Sequence, residues 1–244
     1  MTTIDLYGMC SPNVTKVTIM LEETGLPYRT HHVNVAAGEQ FAPEFLRLNP
    51  NNKVPVIVDP QGPEGAPLTV FESGAILLYL ARKTGRFLPE MPAARSAAEQ
   101  WLFLQVASVG PMFGQLSHFM RFAPADSDYA RERYTSEVKR LFKVLDQRLA
   151  ASPFLGGAEY SVADIATFPW IRTALAYFPS LQPDQTPLEH PALQRWLSTL
   201  TERPAVQRAL EVEQRFMPLD TEAFGKADAD AIDRFCGRGR FAQP

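Results

Sequence analysis

Residues 54–85 read VPVIVDPQGPEGAPLTVFESGAILLYLARKTG, and their punctuation decides how the neighbouring chain is read. Val54 to Val58 is an apolar β-type run and Leu68 to Phe71 a second one; the Pro/Gly-rich turn Pro60 to Pro67 between them suits a hairpin with a long loop. Ser73 then opens an apolar helix through Ile76, Leu77 and Leu80, which Gly85 caps at its C-terminus. A strand pair running straight into a helix is the closing part of a larger unit, so the rest of it lies upstream.

Upstream, Ile4 to Tyr7 is a short apolar strand. Val14, Val17 and Leu21 recur at helical spacing until Gly25-Leu26-Pro27 stops the helix. His31 to Val35 predicts a second strand and Pro43 to Leu48 a short helix. The order βαβαββα within residues 1–85 joins a parallel βαβ unit to an antiparallel hairpin and a closing helix, which is the thioredoxin-like order.

Downstream of about residue 93 no period-2 segment recurs. Val138, Leu141, Phe142, Leu145 and Leu149 form one apolar helical face with Arg140 and Lys143 among the charges between them. A long helix is predicted from about Ala94 to Met120, kinked at Gly110-Pro111 because an interior proline removes a backbone bond and clashes with the preceding turn. Ser161 to Asp164 reads as a capping arrangement, with Ser161 at the N-cap and Asp164 reaching back. Pro204 and Pro218 bracket a last helix, and the polar, glycine-interrupted remainder is expected to wrap the surface or be partly disordered. The predicted fold class is α/β plus all-α: a thioredoxin-like domain over residues 1–85, an all-helical domain over 93–218 and a C-terminal extension over 219–244.

Composition narrows the function classes. A chain of 244 residues that is 45% hydrophobic and 21% charged can bury a core. A net charge of −3 carries no basic footprint for a phosphate backbone, so nucleic acid is excluded as a partner. The start Met1 to Asp5 lacks the basic, apolar pattern of a signal peptide and no later run is long enough to span a bilayer, so a cytoplasmic location and no membrane partner are expected. The two cysteines, Cys10 and Cys236, have neither metal-ligand nor C-x-x-C spacing, which argues against a structural disulfide or a metal site.

Three motifs, Ser11-Pro12-Asn13, Asn51-Asn52-Lys53-Val54-Pro55 and Phe71-Glu72-Ser73-Gly74-Ala75-Ile76, stand in order ahead of the Ser161 to Asp164 box. With a thioredoxin-like domain before a helical one, they make residues 4–217 resemble a glutathione transferase. "SPN", "PNNKVP" and "ERY" (Glu132-Arg133-Tyr134) most resemble the bacterial nu class. That resemblance implies a homodimer with glutathione disulfide reductase activity, whose site holds two glutathione molecules or the oxidised disulfide.

Glutathione carries two carboxylates, an ammonium, two amides and a thiol, and the motifs supply complementary groups. Glu72 can pair the ammonium of the γ-glutamyl end, while Ser73 and the free N–H groups of its helix hold the adjacent carboxylate. The plainer reading makes Glu72 a first-turn dipole residue and Ser73 a cap. Val54-Pro55 matches the fold's cis-peptide, whose Val54 backbone would dock the cysteinyl residue of glutathione like an added strand; otherwise Pro55 is a trans proline opening an edge strand. The resemblance places Lys53 and Gln40 on the glycyl end and Arg133 on a carboxylate of glutathione, although each alone reads as a solvated surface residue.

Two residues compete for the chemistry. In glutaredoxins the nucleophilic cysteine immediately precedes the motif's proline, where this chain has Ser11. The first reading has the Ser11 hydroxyl and Asn13 amide hydrogen-bond the sulfur of bound glutathione and favour its thiolate, which attacks a disulfide. The nu class commonly has threonine here, so serine keeps the hydroxyl and frees its rotamer. The second reading makes Cys10 a nucleophile activated by the helix end; the third makes it a small packed loop residue. Tyr7 matches the tyrosine of other transferase classes but reads as a strand residue. Met112, Phe113, Phe119 and Met120 are available to line a pocket for a small disulfide or other electrophile between the domains, or belong to the core. Isomerisation, dehalogenation or ether cleavage on an aromatic electrophile, and glutathione binding without turnover, are the competing functions.

Overall fold

The structure, a computed structural model, describes residues 2–178 and 190–242; the remaining parts of the predicted helical domain and extension, and Met1, lie outside the described residues. Among the described residues no helix is long and apolar enough to cross a membrane. The chain divides into two compact units, residues 1–76 with 205–244, and residues 77–204, so its last helices share a unit with the strands.

The first unit is built on a four-stranded sheet of order β2-β1-β3-β4, with β1 (Ile4–Gly8), β2 (Tyr28–His32), β3 (Val56–Asp59) and β4 (Leu68–Phe71). β1 runs parallel to β2 and antiparallel to β3, and β3 is antiparallel to β4. Helix α1 (Pro12–Thr24) follows β1, α2 (Pro43–Leu48) follows β2, and α3 (Ser73–Thr84) follows β4. This is the predicted βαβαββα order. α1 ends where predicted, at a left-handed Gly25 whose N–H bonds the Leu21 carbonyl.

Two strands differ from the sequence expectation. β2 starts at Tyr28 rather than His31, because parallel pairing aligns Tyr28 with Ile4 and Gly8 with His32. Beyond it, Val33 and Val35 enter a buried cluster with Phe45 and Val56 instead of continuing the strand, and the Asn34 side chain turns the chain by accepting the Ala37 N–H. β3 starts at Val56, since Pro55 has no N–H to give a ladder.

In the second unit α4 (Pro92–Leu104) passes through a π-helical turn, Gln105–Val109, into α5 (Gly110–Arg121). The predicted break is thus spread over the turn preceding Pro111, where the wider π-helical backbone accommodates the proline ring and the hydrogen bond that its missing N–H cannot donate. α6 (Asp128–Ala151) buries all five residues of its predicted apolar face. α7 (Val162–Tyr177) carries the predicted capping box of Ser161 and Asp164, and α8 (Pro191–Thr201) packs on α6 and α7.

Helix α9 (Pro204–Lys226) corrects the expectation that the last helix ends at Pro218. Pro218 faces solvent, while Val212, Phe216 and Asp220 are buried at four-residue intervals on either side of it. That packed stripe outweighs one lost backbone bond. Beyond it, α10 (Ala229–Cys236) is a capped helix, the ordered one of the two alternatives expected for this extension: Asp228 accepts the Ala231 N–H, and Phe235 packs with Phe224 against the Val33 cluster.

Candidate active site

Strand register gathers the first unit's motifs at one end of the sheet. Tyr7 lies opposite Val56, and Val56 opposite Phe71. The exit of β1, the entry to β3 and the exit of β4 therefore coincide, bringing the turn Met9 to Ser11, the loop Lys53 to Pro55 and the Glu72-Ser73 junction to neighbouring positions. The N-termini of α1 and α3 open at that same end, each presenting the positive end of its helix dipole.

Ser11 is the N-cap of α1, with extended backbone (φ −154°, ψ 151°), and its Oγ accepts the Val14 N–H at 3.3 Å. A hydroxyl that accepts through a lone pair still holds its own hydrogen for donation. Asn13 stands two residues on, in the first turn. The approach of β1 to α1 is close: a Cβ on Gly8 would lie 2.6 Å from Val14 Cγ1. The Cys10 N–H donates to Asp220 Oδ2 at 2.6 Å, and Asp220 Oδ1 meets His32 Nε2 at 2.8 Å. Cys10 itself is half-buried.

The Val54-Pro55 bond is cis, as predicted. Its loop is held by Asn49, 1% exposed, whose Nδ2 donates to the Lys53 carbonyl at 2.7 Å while its Oδ1 accepts the Asn51 N–H at 2.9 Å. Glu72 adopts a left-handed φ of 66° and exposes its carboxylate, which Asn51 Nδ2 approaches at 3.5 Å. Ser73 follows as the first residue of α3. Lys16, 1% exposed, lies beneath; burial pulls its ammonium down to about 7 and the Glu72 charge draws it partway back.

The other predicted residues are placed less simply. Gln40 is buried, with Nε2 donating to the Val35 carbonyl at 3.2 Å and Oε1 lacking a partner among the described residues. Lys53 is exposed. Arg133 belongs to the second unit, on α6, and pairs with Glu137 at 3.4 Å. In that unit Phe113 is buried against Phe142, Phe119 stacks on Tyr134, and Met120 is exposed. Tyr7 stacks on His31 at 4.6 Å within the sheet. Burial pushes the Cys236 thiol up, with Lys53 among the cations opposing that rise, which puts α10 near the Lys53 loop.

A protein-family model for the glutathione S-transferase N-terminal domain matches residues 2–82, and one for the C-terminal domain matches residues 128–198. The chain belongs to the glutathione S-transferase family. Among its transferase-family relatives it is 49% identical over 208 residues to the disulfide-bond oxidoreductase YfcG of Escherichia coli (strain K12), covering 85% of this chain and 94% of that protein. It is similar to a solved glutathione transferase of Burkholderia graminis with two glutathione molecules bound per subunit (TM-score 0.80, 47% identity, 86% and 88% of the chains). A Pseudomonas putida glutathione transferase with one glutathione disulfide bound per subunit matches at TM-score 0.80 and 45% identity, covering 86% and 92%.

Sequence reasoning passed over four residues of this end of the sheet: Asp220, His32, Asn49 and Lys16. Asn49 precedes Pro50 in the loop motif, a local signal for a turn-forming side chain. Lys16 sits on the buried side of α1, between Val14 and Val17, where a polar residue among apolar ones asks for a reason. Asp220 and His32 give no local signal at all.

Proposed function

We propose that the chain is a glutathione-dependent disulfide-bond reductase of the nu type of glutathione transferase, acting as a cytoplasmic homodimer. Bound glutathione supplies the reactive sulfur, and the Ser11 hydroxyl and Asn13 amide donate to it and stabilise its thiolate together with the α1 dipole. Glu72 pairs the γ-glutamyl ammonium, and Ser73 with the α3 N-terminus takes the adjacent carboxylate. The Val54 backbone, outside the sheet ladder, docks the cysteinyl residue. Lys53 and Arg133 take carboxylates, and Gln40 joins Lys53 at the glycyl end by exchanging its bond to Val35.

The thiolate attacks one sulfur of a small disulfide; that S–S bond breaks, the displaced thiolate takes a proton, and a mixed disulfide with glutathione remains. A second glutathione thiolate attacks the glutathionyl sulfur and releases glutathione disulfide and the second thiol. Two glutathiones are oxidised as one disulfide is reduced. The relative named as a disulfide-bond oxidoreductase and the two similar structures holding two glutathiones or their disulfide support this stoichiometry.

The observation that supports the reading is the Ser11 N-cap: its oxygen accepts the Val14 N–H at the first turn of α1, and its own hydrogen is left for donation. Reduction of a small mixed disulfide tests it. Ser11→Ala is expected to lower kcat about 10- to 100-fold, the worth of one hydrogen bond to a charged group, whereas Cys10→Ala keeps kcat within about threefold because no protein sulfur enters the chemistry. Loss of turnover in Cys10→Ala with Ser11→Ala intact would transfer the nucleophile's role to Cys10.

A further inference from the structure

Helix α9 lies antiparallel along α1, tied to it at three levels. Arg208 Nε meets Glu22 Oε2 at 2.6 Å, Thr15 Oγ1 donates to Glu213 Oε2 at 2.8 Å, and the Cys10 N–H donates to Asp220 Oδ2 at 2.6 Å. Glu213 and Asp220 are seven residues apart and so share one helical face. The last tie reaches the turn that presents Ser11. Asp220 is 7% exposed and uses both oxygens, the second on His32 at the exit of β2. A carboxylate this buried is held in place only if its partners are fixed.

We propose that Asp220 is the positioning residue of the Ser11 turn, through which α9 sets the aim of the hydroxyl at the glutathione sulfur. Residues 9–11 lie between the end of β1 and the start of α1. Gly8, before it, gives its carbonyl to the Val33 N–H at 2.9 Å, and Ser11, after it, caps α1. Between these points the Cys10 N–H is oriented by Asp220. Asp220 touches neither substrate nor reacting atoms; it fixes the peptide that leads into Ser11. A donor aimed at a developing or resident charge must be held to a fraction of an ångström, and misplacement by about 1 Å costs about 100-fold.

The inference rests on the proposed glutathione chemistry, and its test separates the two. Asp220→Ala is expected to lower kcat about 10- to 100-fold while the Kd for glutathione, set by Glu72, Ser73 and Val54, stays within about threefold; the thiol of bound glutathione titrates at a higher pH than in the parent protein. Asp220→Asn keeps an oxygen for the Cys10 N–H and is expected to recover most of the lost kcat. If Asp220→Ala does not fold, His32→Leu, which removes the other partner of Asp220, carries the test, with a smaller fall in kcat at unchanged Kd. Parent-like kcat and thiol titration in Asp220→Ala, or in His32→Leu where that variant stands in, overturns the inference. So does a rise in Kd for glutathione as large, in fold terms, as the fall in kcat, which marks a merely structural residue. A parent protein that binds no glutathione overturns the functional reading instead.

Discussion

Replacing Lys16 by methionine is expected to make folding stability at acid to neutral pH higher, and the size of the gain follows from where the ammonium sits. Lys16 is 1% exposed, and burial brings its pKa from 10.5 to about 7. At about 1.4 kcal/mol per unit, a fall of roughly 3.5 units amounts to about 5 kcal/mol. The folded-state pKa is the lower one, so between pH 7 and 10.5 the unfolded chain binds a proton that the folded chain has released. Stability therefore rises with pH across that window, and the full cost of burying the charge is present below it. Urea denaturation of both proteins from pH 6 to pH 10 is the assay. Lys16→Met should be more stable by up to about 5 kcal/mol at pH 6, with the gap shrinking to about 1 kcal/mol or less at pH 10. Packing differences between the two side chains add an offset independent of pH, so the slope decides. A gap that does not change with pH would refute the assignment of a buried, titrating ammonium at this position.

Two further predictions concern buried contacts in each unit. Asp164, fully buried, accepts from Leu155 N, Trp196 Nε1 and both the N–H and the hydroxyl of Ser161 at 2.8 to 3.1 Å. Removing it strands those donors, and Asp164→Ala should cost about 3–5 kcal/mol in urea denaturation. Gly8→Ala should cost about 1–3 kcal/mol through overlap with Val14. Combining it with Val14→Ala should recover part of that loss, a coupling measurable in a double-mutant cycle.

Elements whose ends are set by their own residues were legible in the sequence. Pro12 with Ser11 and Gly25 bound α1, Pro43 opens α2, Ser73 and Gly85 bound α3, and Ser161 with Asp164 caps α7; each of these signals acts within four residues. β2 was misplaced because its register is set by a partner strand, and Ile4 has to find Tyr28 before the strand has a beginning. α9 was cut short because Pro218 is a local stop signal, whereas the buried stripe Val212, Phe216 and Asp220 that overrides it depends on tertiary packing. Much of the candidate site was legible for the same local reason: Ser11, Glu72 and Ser73 sit at helix starts, and Val54-Pro55 at a strand entry. Asp220 was not, since it meets Cys10 across 210 residues of sequence. Gln40 was placed on the ligand by resemblance, yet in the folded chain its amide nitrogen is turned toward Val35.

The central claim is that the working sulfur belongs to glutathione and that the Ser11 turn ionises it. Its most direct measurement is the ultraviolet thiolate absorbance of glutathione bound to the Cys10→Ala protein, followed across pH. The account predicts a thiol that titrates well below free glutathione in this variant and returns toward the free value when Ser11 is also replaced by alanine. Absence of a thiolate signal in Cys10→Ala, with glutathione demonstrably bound, would contradict it.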